Sequence, residues 1–327
     1  MRVIWNPKHA LHAPPLEVEE GAITPPFEVP GRFDAIHSAL TARGGFTFEE
    51  PPPIPVEAVF ALHDPEYVAY LRESHDGFSM PSVFPYGPNP RPRSAKMRKG
   101  AYSFDTYTPV MPGTFEAALG GAAAALHAAE ILSAGTERNL YVLTRPPGHH
   151  AEHSQCGGYS YLNNSALAAN RLAKLGPVAV LDLDVHHGNG TQHLFFDRAD
   201  VLTVSLHGDP VHLFPYFSGF ADETGTGPGL GFNLNLPLPA GSTSHEYEPA
   251  LAVAMDRIAM FRPAFLVVPF GADAHESDPI GGMKLPTEYF STLGKLVKEL
   301  GLPTLVVQEG GYDLDVLGEC VAEFLSA

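Results

Sequence analysis

The run VAVLDLDVHHGNGTQ, Val178 to Gln192, constrains the fold more than any other stretch. It opens with Val178, Ala179, Val180 and Leu181, the start of a buried β-strand. It then places Asp182, Asp184 and His186 at every second position and adds His187. Side chains alternate along a strand, so Asp182, Asp184 and His186 are expected on one face. Carboxylates buried without partners cost several kcal/mol each. A cation relieves that cost. Asp184 and His186 can both reach one metal, and Asp273, from another strand end, supplies a third ligand. An Asp–His–Asp set with an open position is expected to be a catalytic divalent site. Imidazole favours zinc or iron, and the carboxylates leave manganese or cobalt open. Asp182 is expected instead to accept a hydrogen bond from the His149 imidazole.

Around this run, short β-branched segments alternate with helical patterns. Strands are expected at Arg2–Trp5, Leu140–Leu143, Val178–Asp184, Val201–Leu206, Phe265–Phe270 and Thr304–Gln308. Helices are expected at Thr114–Leu132, Asn164–Leu175, Glu246–Phe261, Pro286–Leu300 and Asp313–Leu325, with another begun by Asp64 as N-cap and Pro65 in the first turn. This alternation predicts an α/β fold with a mostly parallel central sheet and helices on both faces. No linker divides the 327 residues, so residues 1–327 read as a single domain with one long Pro-rich insertion at about 74–113.

Five strands run into polar residues: His149 and His150 after RPP-Gly148, Asp182 to His187, His207, Asp273 in GAD, and Tyr312 in EGGY. In open parallel sheets ligands bind at the carboxyl ends of strands. Facing a metal, the His149–His150 pair is suited to general acid–base work. Tyr312, behind Gly310-Gly311, is suited to donate a hydrogen bond to a developing oxyanion.

The formal net charge of −17 argues against a nucleic-acid partner, which needs a basic face, and favours a cationic small substrate. Two cysteines, Cys156 and Cys320, make no disulfide framework or CxxC site. No signal-peptide pattern or run of about 18 apolar residues is read, so a cytoplasmic protein without a membrane partner is expected.

RPPGHH, GGYSYLNNSALAA (Gly157–Ala169), DLDVHHGNGT, VSLHGDP, FGAD and EGGY occur in the order found in the histone deacetylase superfamily, and almost the whole chain resembles it. MRVIW, TPPFEVPGR (Thr24–Arg32), FEAAL and FADETGTG resemble its bacterial amidohydrolase branch, the acetylpolyamine amidohydrolases above all. The resemblance implies an arginase/deacetylase fold and one zinc ion on Asp184, His186 and Asp273, with Fe2+ or Co2+ as substitutes. It implies that His150 acts as general base and then acid, that Asp182 holds His149 as an electrostatic partner, and that Asn189 stands behind His150. Tyr312 is similar to the carbonyl-polarising tyrosine. Tyr159 and Phe214 resemble tunnel walls, with Gly158 and Tyr107 also on the substrate side. Asp182, Ser205 and Leu206 resemble part of a structural K+ site. A homodimer is implied too. Where acetylpolyamine amidohydrolases carry carboxylates before the PGT motif, this chain has Lys96 and Tyr107, with Asp105 nearby.

The function expected is zinc-dependent hydrolysis of an acetyl or small acyl amide on an aliphatic amine, of acetylpolyamine or acetyl-lysine type. The alternatives are another small amide or ester, or an arginase-like ureohydrolase. The last needs two carboxylate-rich metal sites, and the sequence offers ligands for one.

Overall fold

The structure is a computed structural model that describes residues 1–19, 21–73 and 100–327. Most of the Pro-rich insertion, including Lys96 and the basic run from Arg91 to Lys99, lies outside the described residues.

Eight strands form one sheet in which every pairing is parallel: β1 (Arg2–Trp5), β4 (Thr47–Glu49), β5 (Asn139–Leu143), β6 (Val178–Asp182), β7 (Val201–Gly208), β8 (Asn233–Leu238), β9 (Phe265–Phe270) and β10 (Thr304–Gln308). Their order is β4-β1-β5-β10-β9-β6-β7-β8. The five strands expected to end in polar residues are thus consecutive neighbours. A separate antiparallel hairpin joins β2 (Glu17–Glu19) to β3 (Ala22–Thr24).

Strand pleating builds two cores. Tyr141, Leu143, Ala179 and Leu181 face α1 (Gly31–Arg43), α6 (Ser244–Phe261), α7 (Tyr289–Glu299) and α8 (Leu314–Ser326). Leu140, Val142, Val178 and Val180 face α2 (Pro65–Glu73), α3 (Thr114–Ser133) and α4 (Asn164–Ala173). The remaining helix, α5 (Asn189–Phe195), follows β6 after the six residues 183–188. Both faces of the sheet are covered, which is why its strands read as continuous apolar runs. Asp64 caps α2 as expected, its Oδ1 accepting from Glu66 N at 2.6 Å.

Several boundaries differ from the sequence reading. β6 stops at Asp182, not Asp184, because the chain bends there. The helix expected at Pro286 begins at Tyr289, and the one expected to reach Leu175 ends at Ala173. β7 continues through Gly208, which places His207 inside the strand. α1, β4 and β8 were not anticipated. α3 is long and apolar enough to cross a membrane by length and composition alone, although Glu116, His127 and Glu130 interrupt its apolar run. Its most apolar window is 67% buried, and its alanines pack under the sheet, as in a core helix.

Candidate active site

Beyond Asp182 the chain bends, and two bonds from its backbone N–H groups to the end of β9 hold the bent stretch in place. Leu183 N donates to Pro269 O at 2.9 Å and Val185 N to Asp273 Oδ1 at 3.0 Å. Asp184 and His186 are thereby aimed across the end of β9 at Asp273. His186 Nδ1 lies 3.2 Å from Asp184 Oδ1 and 3.2 Å from Asp273 Oδ2. Ligand-capable atoms of the three residues all fall within 4.8 Å of one another. A tetrahedral ion with bonds of about 2.0 Å separates its ligand atoms by roughly 3.3 Å, so the set fits a divalent transition metal.

The surroundings are built for that ion. Gly310 N donates to Asp184 Oδ2 at 2.8 Å, and a Cβ at residue 310 would collide with Asp273 Oδ2. The charges of the three groups are strongly interdependent. Burial opposes charge on His186, yet its contacts with Asp184 and Asp273 raise its pKa to about 10. Burial, then the Asp184 charge, pushes Asp273 up to about 7. Burial works against an ionised Asp184 as well, but His149 and His186 hold it far below the usual carboxylate range.

The RPPGHH turn leaves β5 and brings two imidazoles beside these ligands. Glu309, at the end of β10, fixes the turn: its Oε2 accepts from Gly148 N at 2.6 Å and His149 N at 3.0 Å, and its Oε1 from Ser165 Oγ at 2.8 Å. Asn163 caps α4 by accepting from Ala166 N at 2.9 Å, and its amide reaches His149 O at 3.3 Å. His149 Nδ1 meets Asp182 Oδ2 at 3.0 Å, as expected. Burial would depress His149, but Asp184 and Asp182 override it and raise its pKa to about 10. His150 Nδ1 donates to the neutral Asn189 Oδ1 at 2.8 Å. Burial, then the neighbouring His149 and His186, holds His150 well below its ordinary value. One imidazole is thus kept charged and the other neutral.

A cavity of about 220 Å³ opens above this floor. Its walls include His150, His186, Gly158, Tyr159, Phe214, Tyr107 and Tyr312, together with Glu19, Leu213 and Tyr216. The residues expected on the substrate side therefore meet there. Gly158 has φ +54°, and a Cβ on it would run into the His150 ring. Tyr159 adopts φ +61°, a sparsely populated conformation for a side-chain-bearing residue, at the cavity wall. The Tyr107 ring lies 5.6 Å from Phe214 and 6.2 Å from Tyr159. Burial keeps Tyr312 protonated well above its ordinary range, so its hydroxyl remains a donor.

Two expected residues fall elsewhere. His207 does not reach the cavity, since Ser205 Oγ and Gly219 O, each at 2.8 Å, occupy its ring nitrogens. Asp105 lies beneath the wall, where it accepts from Thr108 N at 3.0 Å and from Gly158 N at 2.5 Å. Asp182 and Ser205 are register partners on β6 and β7 and line a polar void of about 10 Å³; Leu206 is not among its walls.

Other participants were missed. Arg32 is buried, donates to Gly311 O at 2.6 Å and Glu309 O at 2.5 Å, and lies 4.6 Å from the Tyr312 ring centre. Glu28 pairs it at 3.0 Å and Arg145 at 2.5 Å. Glu28 and Arg32 stand in the TPPFEVPGR stretch, where charges among prolines and apolar residues were the available signal. Glu17 and Glu19 come from the hairpin. Tyr159 Oη donates to Glu17 Oε1 at 3.2 Å, and among the described residues no partner at hydrogen-bonding geometry meets Glu17 Oε2.

Comparison with known proteins agrees with this geometry. The model of the "Histone deacetylase domain" family matches residues 26–327. The acetylpolyamine amidohydrolase of Mycoplana ramosa is 39% identical, over 99% of this chain and 98% of its own length. Acetylpolyamine amidohydrolase 1 of Pseudomonas aeruginosa is 38% identical, over 97% and 96%. The crystal structure of an acetylpolyamine aminohydrolase from Burkholderia pseudomallei superposes with a TM-score of 0.96 at 37% identity, covering 100% of this chain and 98% of that one.

Proposed function

The chain belongs to the histone deacetylase family, and from that membership we propose how its residues work as an amidohydrolase on acetylated amines. The observation that carries the reading is the meeting of Asp184, His186 and Asp273, with His186 lining a cavity that also carries a carboxylate, Glu19, in its wall.

Asp184, His186 and Asp273 would hold one divalent ion, read as zinc from its imidazole and carboxylate donors, with Fe2+ or Co2+ able to replace it. When bound, such an ion supplies Lewis acidity, making water nucleophilic near neutral pH and drawing charge from the amide carbonyl. His150 gives its Nδ1–H to Asn189, which leaves Nε2 to take the proton from the attacking water. It returns that proton to the amine nitrogen as the C–N bond breaks. His149, charged and tied to Asp182, opposes the negative charge that develops. Tyr312 Oη donates to the carbonyl oxygen of the acyl group as it gains charge. Gly158, Tyr159, Phe214 and Tyr107 enclose the alkyl chain.

The substrate favoured is a slender acylated amine with a second positive charge. Tyr107, and not a carboxylate, stands in the wall, but β2 supplies Glu19 there and Glu17 behind Tyr159. Burial raises Glu17 to about 7, so a nearby cation would favour its charged form. A dimanganese ureohydrolase is disfavoured: among the described residues, ligand-capable side chains gather at this one cluster.

The test is a panel of acetylated monoamines, diamines, polyamines and acetyl-lysine peptides, with and without chelator. Metal-dependent turnover that is fastest on short acylated diamines or polyamines is expected. Failure of the metal-loaded protein to hydrolyse any acyl amide would overturn the reading. The same reading carries K+ at Asp182, Ser205 and Leu206, a cytoplasmic setting and a homodimer. Melting in K+ against Na+ checks the first, and sedimentation the last.

A further inference from the structure

Leu213, Phe214 and Tyr216 reach the cavity from the connection between β7 and β8. That connection has no strand or α-helix of its own from Asp209 to Phe232. Its return stretch, Ser218 to Glu223, is tied down by buried amides instead. Gln192 Nε2 donates to Ser218 Oγ at 3.1 Å and to Glu223 Oε2 at 2.7 Å. The same Glu223 oxygen accepts from Gly219 N at 2.8 Å and Asn235 Nδ2 at 3.2 Å. Asn235 Nδ2 also reaches Phe220 O at 3.1 Å, and Asn233 Nδ2 reaches Glu223 O at 2.6 Å.

The orientation of every amide follows from backbone carbonyls, which only accept. Phe220 O and Glu223 O make the Asn235 and Asn233 nitrogens donors. Both donate to Gln192 Oε1, at 2.8 and 2.9 Å, and His187 Nε2 adds a third contact at 3.1 Å. The Gln192 nitrogen is therefore directed at Glu223. Gln192 sits on α5, one turn after Asn189, and His187 follows the ligand His186 in sequence. One side chain thus links the metal-site stretch to the loop that carries the aromatic wall. Neither Gln192 nor Glu223 lines the cavity.

We propose that Glu223 and Gln192 are positioning residues that fix Phe214 and so set the width of the channel for the alkyl chain. They act on substrate fit and leave bond cleavage untouched. The inference rests on the amidohydrolase reading above for its substrate.

The test compares Glu223→Leu with Glu223→Gln in the metal-loaded enzyme. Leucine removes the shared acceptor, whereas glutamine keeps one oxygen for the same donors. Kinetics on an acetylated diamine series and hydrogen exchange of the peptide spanning residues 209–223 are measured together. Losing one part-buried acceptor set predicts, for Glu223→Leu, a KM raised about tenfold with kcat within about twofold. Exchange in that peptide should quicken while metal content stays unchanged. Glu223→Gln should match the wild type in both. The proposal is overturned by an unchanged KM, an unchanged exchange rate, a kcat loss at constant KM, or glutamine behaving like leucine. If the wild type hydrolyses no acylated amine, the functional reading fails separately. The exchange of the 209–223 peptide still decides the latch, and an unchanged rate in Glu223→Leu rejects it.

Discussion

At Tyr312 three contacts leave one atom free for chemistry. The backbone N–H donates to Asp278 Oδ2 at 2.7 Å, the Arg32 guanidinium lies over the ring, and Tyr159 packs beside it with ring centres 5.7 Å apart. Tyr312 itself lines the cavity, and among the described residues its hydroxyl makes no hydrogen bond. Tyr312→Phe keeps the ring and its packing and removes that donor. Turnover should fall roughly 100- to 1000-fold while metal content and melting temperature hold. Full turnover in that variant would remove Tyr312 from the reaction. The sequence was most informative at this scale. Asp184, His186, Asp273, His149, His150 and Tyr312 all stand at strand ends in runs whose polarity breaks an apolar pattern. The residues that hold them were harder to read. Arg32 and Glu28 reach the site from 277 or more residues away in one direction and 117 in the other, and no local pattern encodes such pairings.

Among the elements, β10 and β5 show how one strand end sets the next. Glu309 leaves β10 and holds the two backbone N–H groups that start the His149–His150 pair. Burial raises its pKa to about 7, so a neutral replacement of the same shape should be tolerated. Glu309→Gln is expected to cost under about 1 kcal/mol, whereas Glu309→Leu strands two buried backbone donors and the Ser165 hydroxyl at about 1–3 kcal/mol each. Urea unfolding of the two variants reads the difference; equal losses would show that charge, not hydrogen bonding, matters there. The sequence placed both strands but not this link. Motif reading saw Glu309 only as the residue before two glycines. Strand limits failed for a related reason. Periodicity marks which side chains share a face, and after Asp182 the alternating pattern continues in the sequence although the strand has ended.

For the whole molecule, buried neutral histidines set the response to acid. Burial lowers His9, His12, His63 and His207 to about 4, against 6.5 in an unfolded chain. The unfolded state then binds more protons between those values, so their contribution is intact above pH 6.5 and is lost as pH falls toward 4. Glu17 and Glu309, raised to about 7, work the other way, gaining as pH falls from 7 to 4.5. Asp273, also near 7, and Asp105, raised by burial to about 6, add to the carboxyl side, while His150 and His187, held well below 6.5, add to the histidines, so six histidines face four carboxyls. Unfolding midpoints in urea should therefore drop steadily from pH 6.5 to 5, and a rise over that range would contradict the assignment.

The most direct measurement is metal content and acyl-amine turnover on the same samples of wild type and Asp273→Asn. One divalent ion per chain in the wild type is predicted, with turnover lost on chelation and restored on re-addition, and both sharply reduced in Asp273→Asn. Turnover that survives complete removal of metal, or a variant that keeps its ion and its rate, would contradict the three-ligand centre.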